Sequence, residues 1–152
     1  MSTFSTSIAP TIHQKIQIPY NYSAGPAMTV FLRGLQQKII HASLCSGCGR
    51  RSVPPLSFCG RCWTPIKQYV PVEQRGTVQS SVFPPELPSD LAGKVDASLG
   101  YALIRLEGCD TNLAHLVKAG DAAAIKIGSR VKPVWNEQRS ASILDIAYFA
   151  VE

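Results

Sequence analysis

Two CxxC pairs frame the stretch "CSGCGRRSVPPLSFCGRC", Cys45 with Cys48 and Cys59 with Cys62, separated by ten residues. A CxxC turn sets two sulfurs on one side of an ion while amides within the turn donate to them. Two such knuckles complete the tetrahedral shell that zinc prefers. Gly47, Gly49 and Gly60 are expected to relieve the tight turns by accepting positive φ. Cys45, Cys48, Cys59 and Cys62 are thus the expected ligands of one Zn2+. A four-sulfur shell leaves no position open for water or substrate, so the role is structural: it replaces a core that this segment is too short to build. Iron in the same shell could carry electrons, and cysteine spacing does not separate the two metals.

The rest of the chain holds little catalytic equipment. Cys109 and His115 could be imagined as a thiol and its base. A buried hydrophobic cysteine and a barrel or surface histidine are the expected roles instead. His41 lies between helix and knuckle as a surface residue or a support for the ligands, and His13 is expected in solvent. The acids form no readable pair, and no glycine loop would cradle a phosphate. No catalytic residue is assigned.

Composition narrows the class. A chain of 152 residues, 45% hydrophobic, can bury a core as one ordinary domain or two small ones. It has no apolar run long enough to span a bilayer, and its first 25 residues lack a signal-peptide pattern, so a cytoplasmic protein is expected. Five cysteines without signs of export favour metal binding over disulfides. The formal charge is +5, or about +3 with four thiolates on a divalent cation. Its distribution is lopsided. Residues 1–72 hold seven Lys or Arg and no acid, whereas 73–152 hold eight bases and ten acids. The basic half contains the cysteines and favours an acidic partner, a phosphate-bearing ligand or a nucleic acid; simple solubility is the plainer reading.

The elements that must position the cysteines follow from periodicity. Residues 1–25 read as a flexible arm. Ser23 or Gly25 can cap a helix that has Pro26 in its first turn. Met28, Phe31, Leu32, Leu35 and Ile39 form one apolar stripe, which predicts an amphipathic helix over 26–41. That stripe needs a surface, either on the C-terminal domain or on another protein. A zinc ribbon spans 42–72. From 73 to 152 five β-prone runs, 76–83, 99–107, 112–119, 129–135 and 142–152, are divided by Pro84, Pro85, Pro88, Gly93, Gly108, Gly120, Gly128 and "NEQRS". Five short strands suit an OB-fold barrel, although the alanines also permit a helix over 113–125. The fold class is mainly β: an N-terminal helix, a rubredoxin-like zinc ribbon and a five-stranded OB-fold domain. Tyr101, Trp135, Tyr148 and Phe149 are the barrel's candidates for base stacking, of which alternation should bury some.

The order of parts, a helix, two knuckles with "VPP" between them, a "GTV" strand and then "GSRVKPVW", resembles the small zinc-ribbon and OB-fold proteins that accompany thiolase-like enzymes. The segment "YNYSAGPAMTVFLRGL" is similar to the small subunits of bacterial phloroglucinol acetyltransferases. The resemblance implies a non-catalytic accessory subunit that bridges a thiolase-like catalytic subunit and a synthase-like subunit in a hetero-oligomer. Cys45, Cys48, Cys59 and Cys62 match the family's zinc positions. Acetyl transfer to a phenolic acceptor is the implied reaction, performed on the partner. The expected function is therefore an accessory subunit of an acyltransferase complex, with Arg50, Arg51 and Arg61 on its docking ribbon. The alternative is a free-standing zinc-ribbon and OB-fold module that binds nucleic acid, which lacks a reason to present an apolar helix stripe. No membrane partner is expected.

Overall fold

The computed structural model describes residues 14–83, 98–118 and 125–152. The arm as far as His13, the turn formers Pro84, Pro85, Pro88, Gly93 and Gly120, and the helical alternative at 119–124 lie outside the described residues. Helix α1 runs Gly25–Gln36, with a proline in its first turn. Ala24 is the N-cap rather than Ser23 or Gly25, and no side chain caps it. The helix also stops short of 41. Lys38 takes a φ of 60°, and the amides of Gln37 and Ile39 turn back onto the Gly34 carbonyl. Residues 40 and 41 belong instead to the entry of the first strand.

Three short strands, β1 (His41–Leu44), β2 (Arg51–Ser52) and β3 (Gln68–Pro71), form an antiparallel sheet in the order β2-β1-β3. This sheet carries the cysteine knuckles at its turns. Five further strands follow: β4 (Gly76–Val82), β5 (Leu99–Leu106), β6 (Leu113–Lys118), β7 (Arg130–Trp135) and β8 (Ile146–Val151). They close into a barrel in the order β4-β5-β6-β8-β7, with β7 returning to β4. A parallel β6-β8 pair joins the otherwise antiparallel ladders, which is the OB-type closure expected from five alternating runs. Along β5 every second residue is buried, Gly100, Ala102, Ile104 and Leu106, as a barrel wall requires. Residues 113–118 are strand and not helix. At 142–145 the expected strand is replaced by a 3₁₀ turn, Ile143–Asp145, closed by a reciprocal capping box between Ser142 and Asp145.

Helix, ribbon and barrel share one core. Phe31 and Leu35 of α1, Ile40 and Ala42 at β1, and Val53 of the ribbon are in one buried cluster with Val78, Ile104, Leu113, Val131 and Phe149 of the barrel. The apolar stripe of α1 is therefore covered in large part by its own chain, Phe31 and Leu35 wholly and Met28 and Leu32 in part. Polar clasps fix the arrangement. The Arg51 amide donates to Asp110 Oδ2 at 2.8 Å, and the Asp110 amide returns a bond to the Arg51 carbonyl at 2.9 Å. Thr111 Oγ1 accepts from the Val53 amide at 2.7 Å and donates to the Val53 carbonyl at 2.9 Å. At the other end, Arg139 Nε donates to the Gln36 carbonyl at 2.8 Å, satisfying an orphan acceptor of the helix terminus. Gln74 links the Lys38 carbonyl, at 2.6 Å, to Trp135 Nε1, at 3.1 Å.

Candidate metal centre

The two knuckles are built alike. In the first, the Cys45 amide donates to the Arg50 carbonyl and the Gly49 amide to the Cys45 carbonyl, both at 2.9 Å. In the second, the Cys59 amide donates to the Thr64 carbonyl at 2.9 Å and the Trp63 amide to the Cys59 carbonyl at 3.0 Å. Gly49 and Trp63 thus occupy equivalent positions, and both take left-handed backbone, φ 72° and 59°. This corrects the expectation for the glycines. Of the knuckle glycines only Gly49 has positive φ; at Gly60 the backbone is ordinary, and the second knuckle puts a tryptophan where the first has glycine. Gly47 serves by size, since a Cβ there would meet Thr64 Oγ1 at 2.8 Å.

This geometry brings all four sulfurs within 4.8 Å of one another. Cys45 to Cys62 is 3.5 Å, Cys48 to Cys59 is 3.6 Å and Cys48 to Cys62 is 3.7 Å. A tetrahedral ion with sulfurs at about 2.3 Å separates them by roughly 3.8 Å, so the donor set and its spacing fit such an ion. Cys45 and Cys59 are buried and Cys62 is exposed. Polar neighbours support the sulfurs: Thr64 Oγ1 lies 3.2 Å from Cys62 Sγ, and the Arg61 amide donates to Cys59 Sγ at 3.4 Å. Ionisation around the four is uneven. The Thr64 hydroxyl and amide hold Cys62 down at about 6, and the amides of Cys62 and Arg61 lower Cys59. Cys48 is pushed up to about 11: the Arg50 amide opposes this, but desolvation and hydrogen bonds with Cys59, Cys45 and Cys62 prevail. Crowded sulfurs of this kind are relieved by a cation, which lets all four become thiolates.

The other reactive side chains do not assemble. Cys109 is buried in the β5-β6 turn, and desolvation raises its thiol pKa. His115 on β6 is buried against Phe149, and its two ring nitrogens face the carbonyls of Leu116 at 3.5 Å and Ile143 at 3.2 Å. Neither nitrogen is directed at Cys109, and burial lowers the pKa of His115. His41 opens β1, away from any hydrogen-bond partner for its buried Nδ1, and desolvation lowers its pKa too. Among the described residues, Cys45, Cys48, Cys59 and Cys62 are the only group of three or more His, Cys, Asp or Glu placed to hold a metal.

Candidate stacking residues also separate. Phe149 is buried, Trp135 is half-buried on Gln74, Tyr148 lies under Lys118 Nζ at 5.4 Å, and only Tyr101 is broadly exposed. Other exposed apolar side chains were not singled out from the sequence. Ile16, Ile18, Tyr20 and Tyr22 are each more than 70% exposed, and their strict alternation was the readable signal. Leu56, Phe58 and Trp63 stand out on the ribbon, where a spacing pattern had no hold.

Fold and site together define a two-knuckle cysteine ribbon fused to a closed OB-type barrel. Among solved structures, the chain is similar to a protein of unknown function from the DUF35 family of Sulfolobus solfataricus. The two are 28% identical over 85% of each chain, with a TM-score of 0.65. It also shares its fold with a structure named the Ltp2-ChsH2(DUF35) aldolase, at 18% identity and a TM-score of 0.63, over 86% of this chain and 98% of the other. No family model and no curated protein sequence matches the chain.

Proposed function

We propose that this protein is a non-catalytic accessory subunit of a thiolase-like acyltransferase complex, with one structural zinc held by Cys45, Cys48, Cys59 and Cys62. Its place is the cytoplasm, bridging a thiolase-like catalytic subunit and a synthase-like subunit. The finer reading is acetyl transfer onto a phenolic, phloroglucinol-type acceptor, carried out by the partner. The observation that carries the proposal is a four-sulfur cluster that fits a closed metal shell, held in a ribbon joined to a barrel whose described Cys109 and His115 are not brought together as nucleophile and base. Similarity to DUF35 structures, one of them named jointly with Ltp2 as an aldolase, supports a role beside another protein. The apolar stripe of α1 gives it little support, because Phe31 and Leu35 are buried in the chain's own core and Met28 and Leu32 pack partly against it. The exposed apolar side chains of residues 16–22 and of the ribbon replace that support.

The residues of this chain do structural work. Bound zinc would supply no reaction step here; it would neutralise the thiolates and fix the two knuckles relative to β1. A native mass spectrum of the tagged chain purified from its own cell tests this reading, with metal and partners recorded together. One zinc per chain and a thiolase-like partner are expected. Cys45→Ser should lose the metal and the partner together. A zinc-bearing monomer carrying oligonucleotide would sink the proposal and favour the nucleic-acid module.

A further inference from the structure

The ribbon carries a patch that the fold does not use. Trp63 is 79% exposed, Phe58 56% and Leu56 41%. All three sit on one hairpin, in which Phe58 pairs with Pro65 and the Ile66 amide donates to the Ser57 carbonyl. Trp63 is the informative member. Its position is equivalent to Gly49 of the first knuckle, where the left-handed backbone is held without a side chain. Glycine adopts that conformation freely and other residues at a cost. A tryptophan there, facing solvent, makes the turn harder to form and adds nothing to the core. Such a residue is explained by what it meets outside the chain.

Its surroundings indicate what that is. Arg61 and Lys67 are exposed beside it in sequence, with Arg50 half-buried at the matching corner of the first knuckle. None of the three joins an ion pair among the described residues, and no acid occurs in residues 1–72. A large apolar centre with an unneutralised basic rim has the composition of an interface hot spot, in which Trp and Arg dominate. It differs from a single-strand platform, where aromatics line a basic groove on a sheet face.

We infer that Trp63, with Phe58 and Leu56, is the anchor by which the ribbon enters an apolar socket rimmed by acidic residues on a partner protein, with Arg61 and Lys67 pairing to the rim. This rests on the accessory-subunit reading and names the surface that does the docking. The knuckle makes the anchor rigid before contact, so little ordering is required on binding.

The test uses the full chain and the partner complex recovered with it. Trp63→Gly removes the ring and relieves the backbone at once. It should retain its metal and a melting temperature at or above that of the wild type, yet bind the partner at least about 30-fold more weakly. Arg61→Glu should weaken binding and flatten its dependence on salt, whereas Lys132→Glu on the barrel should do neither. A Trp63→Gly chain that keeps its partner at wild-type affinity would overturn the inference while leaving the accessory-subunit reading intact. The absence of any thiolase-like partner for the wild type would remove that reading instead. Loss of binding to a single-stranded oligonucleotide or to anionic phosphatidylserine vesicles, with protein binding unchanged, would also overturn it.

Discussion

His115 shows how the same residue type can be read two ways until its neighbours are known. On the sequence it is one possible base for Cys109; in the fold its ring is packed edge-on against Phe149, and its nitrogens point at two backbone carbonyls. Burial therefore lowers its pKa, so the folded state takes up its proton at a lower pH than the unfolded chain, near 6.5. A depressed histidine contributes stability that is full above the unfolded value and is lost as pH falls through the folded one. The unfolding free energy should accordingly fall as pH drops below about 6.5, with a limiting slope near 1.4 kcal/mol per pH unit per proton, and the melting temperature with it. His115→Gln should show a shallower decline by calorimetry, retaining the share due to His41, whose pKa is also lowered. An unchanged slope would mean that His115 titrates as in solvent. At this scale the clustering of the four cysteines was legible, because CxxC spacing is itself a local geometric constraint. The clasps by Asp110 and Thr111 were not, since each joins residues nearly 60 positions apart.

Helix α1 was legible as an element and only partly in its limits. The stripe Met28, Phe31, Leu32 and Leu35 reports one helical face, and three- and four-residue spacing survives any tertiary context. Its end at Gln36 was hidden, because Ile39 continues the spacing while Lys38 turns left-handed and Arg139 caps the Gln36 carbonyl from across the fold. Phe31 and Leu35 are almost wholly buried in the common core. Phe31→Ala should cost about 3–5 kcal/mol in denaturant unfolding, and an exposed-face change such as Gln36→Ala well under 1 kcal/mol. A small loss at Phe31 would show that the helix packs on another protein instead. The 3₁₀ turn was readable in principle: "SILD" is a capping-box pattern, and alternation along 142–152 masked it. That box also accounts for a buried carboxylate, since Asp145 accepts from the amides of Ser140 and Ser142.

For the whole molecule, one shared core ties the ribbon's four-cysteine cluster to the barrel's stability. Val53 and Ile40 lie in the same cluster as Ile104 and Leu113, so losing the knuckles should loosen more than the ribbon. Chelation should lower a single calorimetric transition by roughly 5 °C or more, with amide exchange rising in β5 and β6 as well as in β1. A barrel unchanged by chelation would mean that the two parts fold independently. The sequence by itself determined the paired cysteines that come together, the strand runs and the lopsided charge, because each is a matter of residue type at short spacing. Only the tertiary structure decided where the helix stripe goes, which aromatics remain outside and that the second knuckle spends a left-handed turn on Trp63. Those outcomes depend on surfaces brought together from distant segments, which local spacing does not encode.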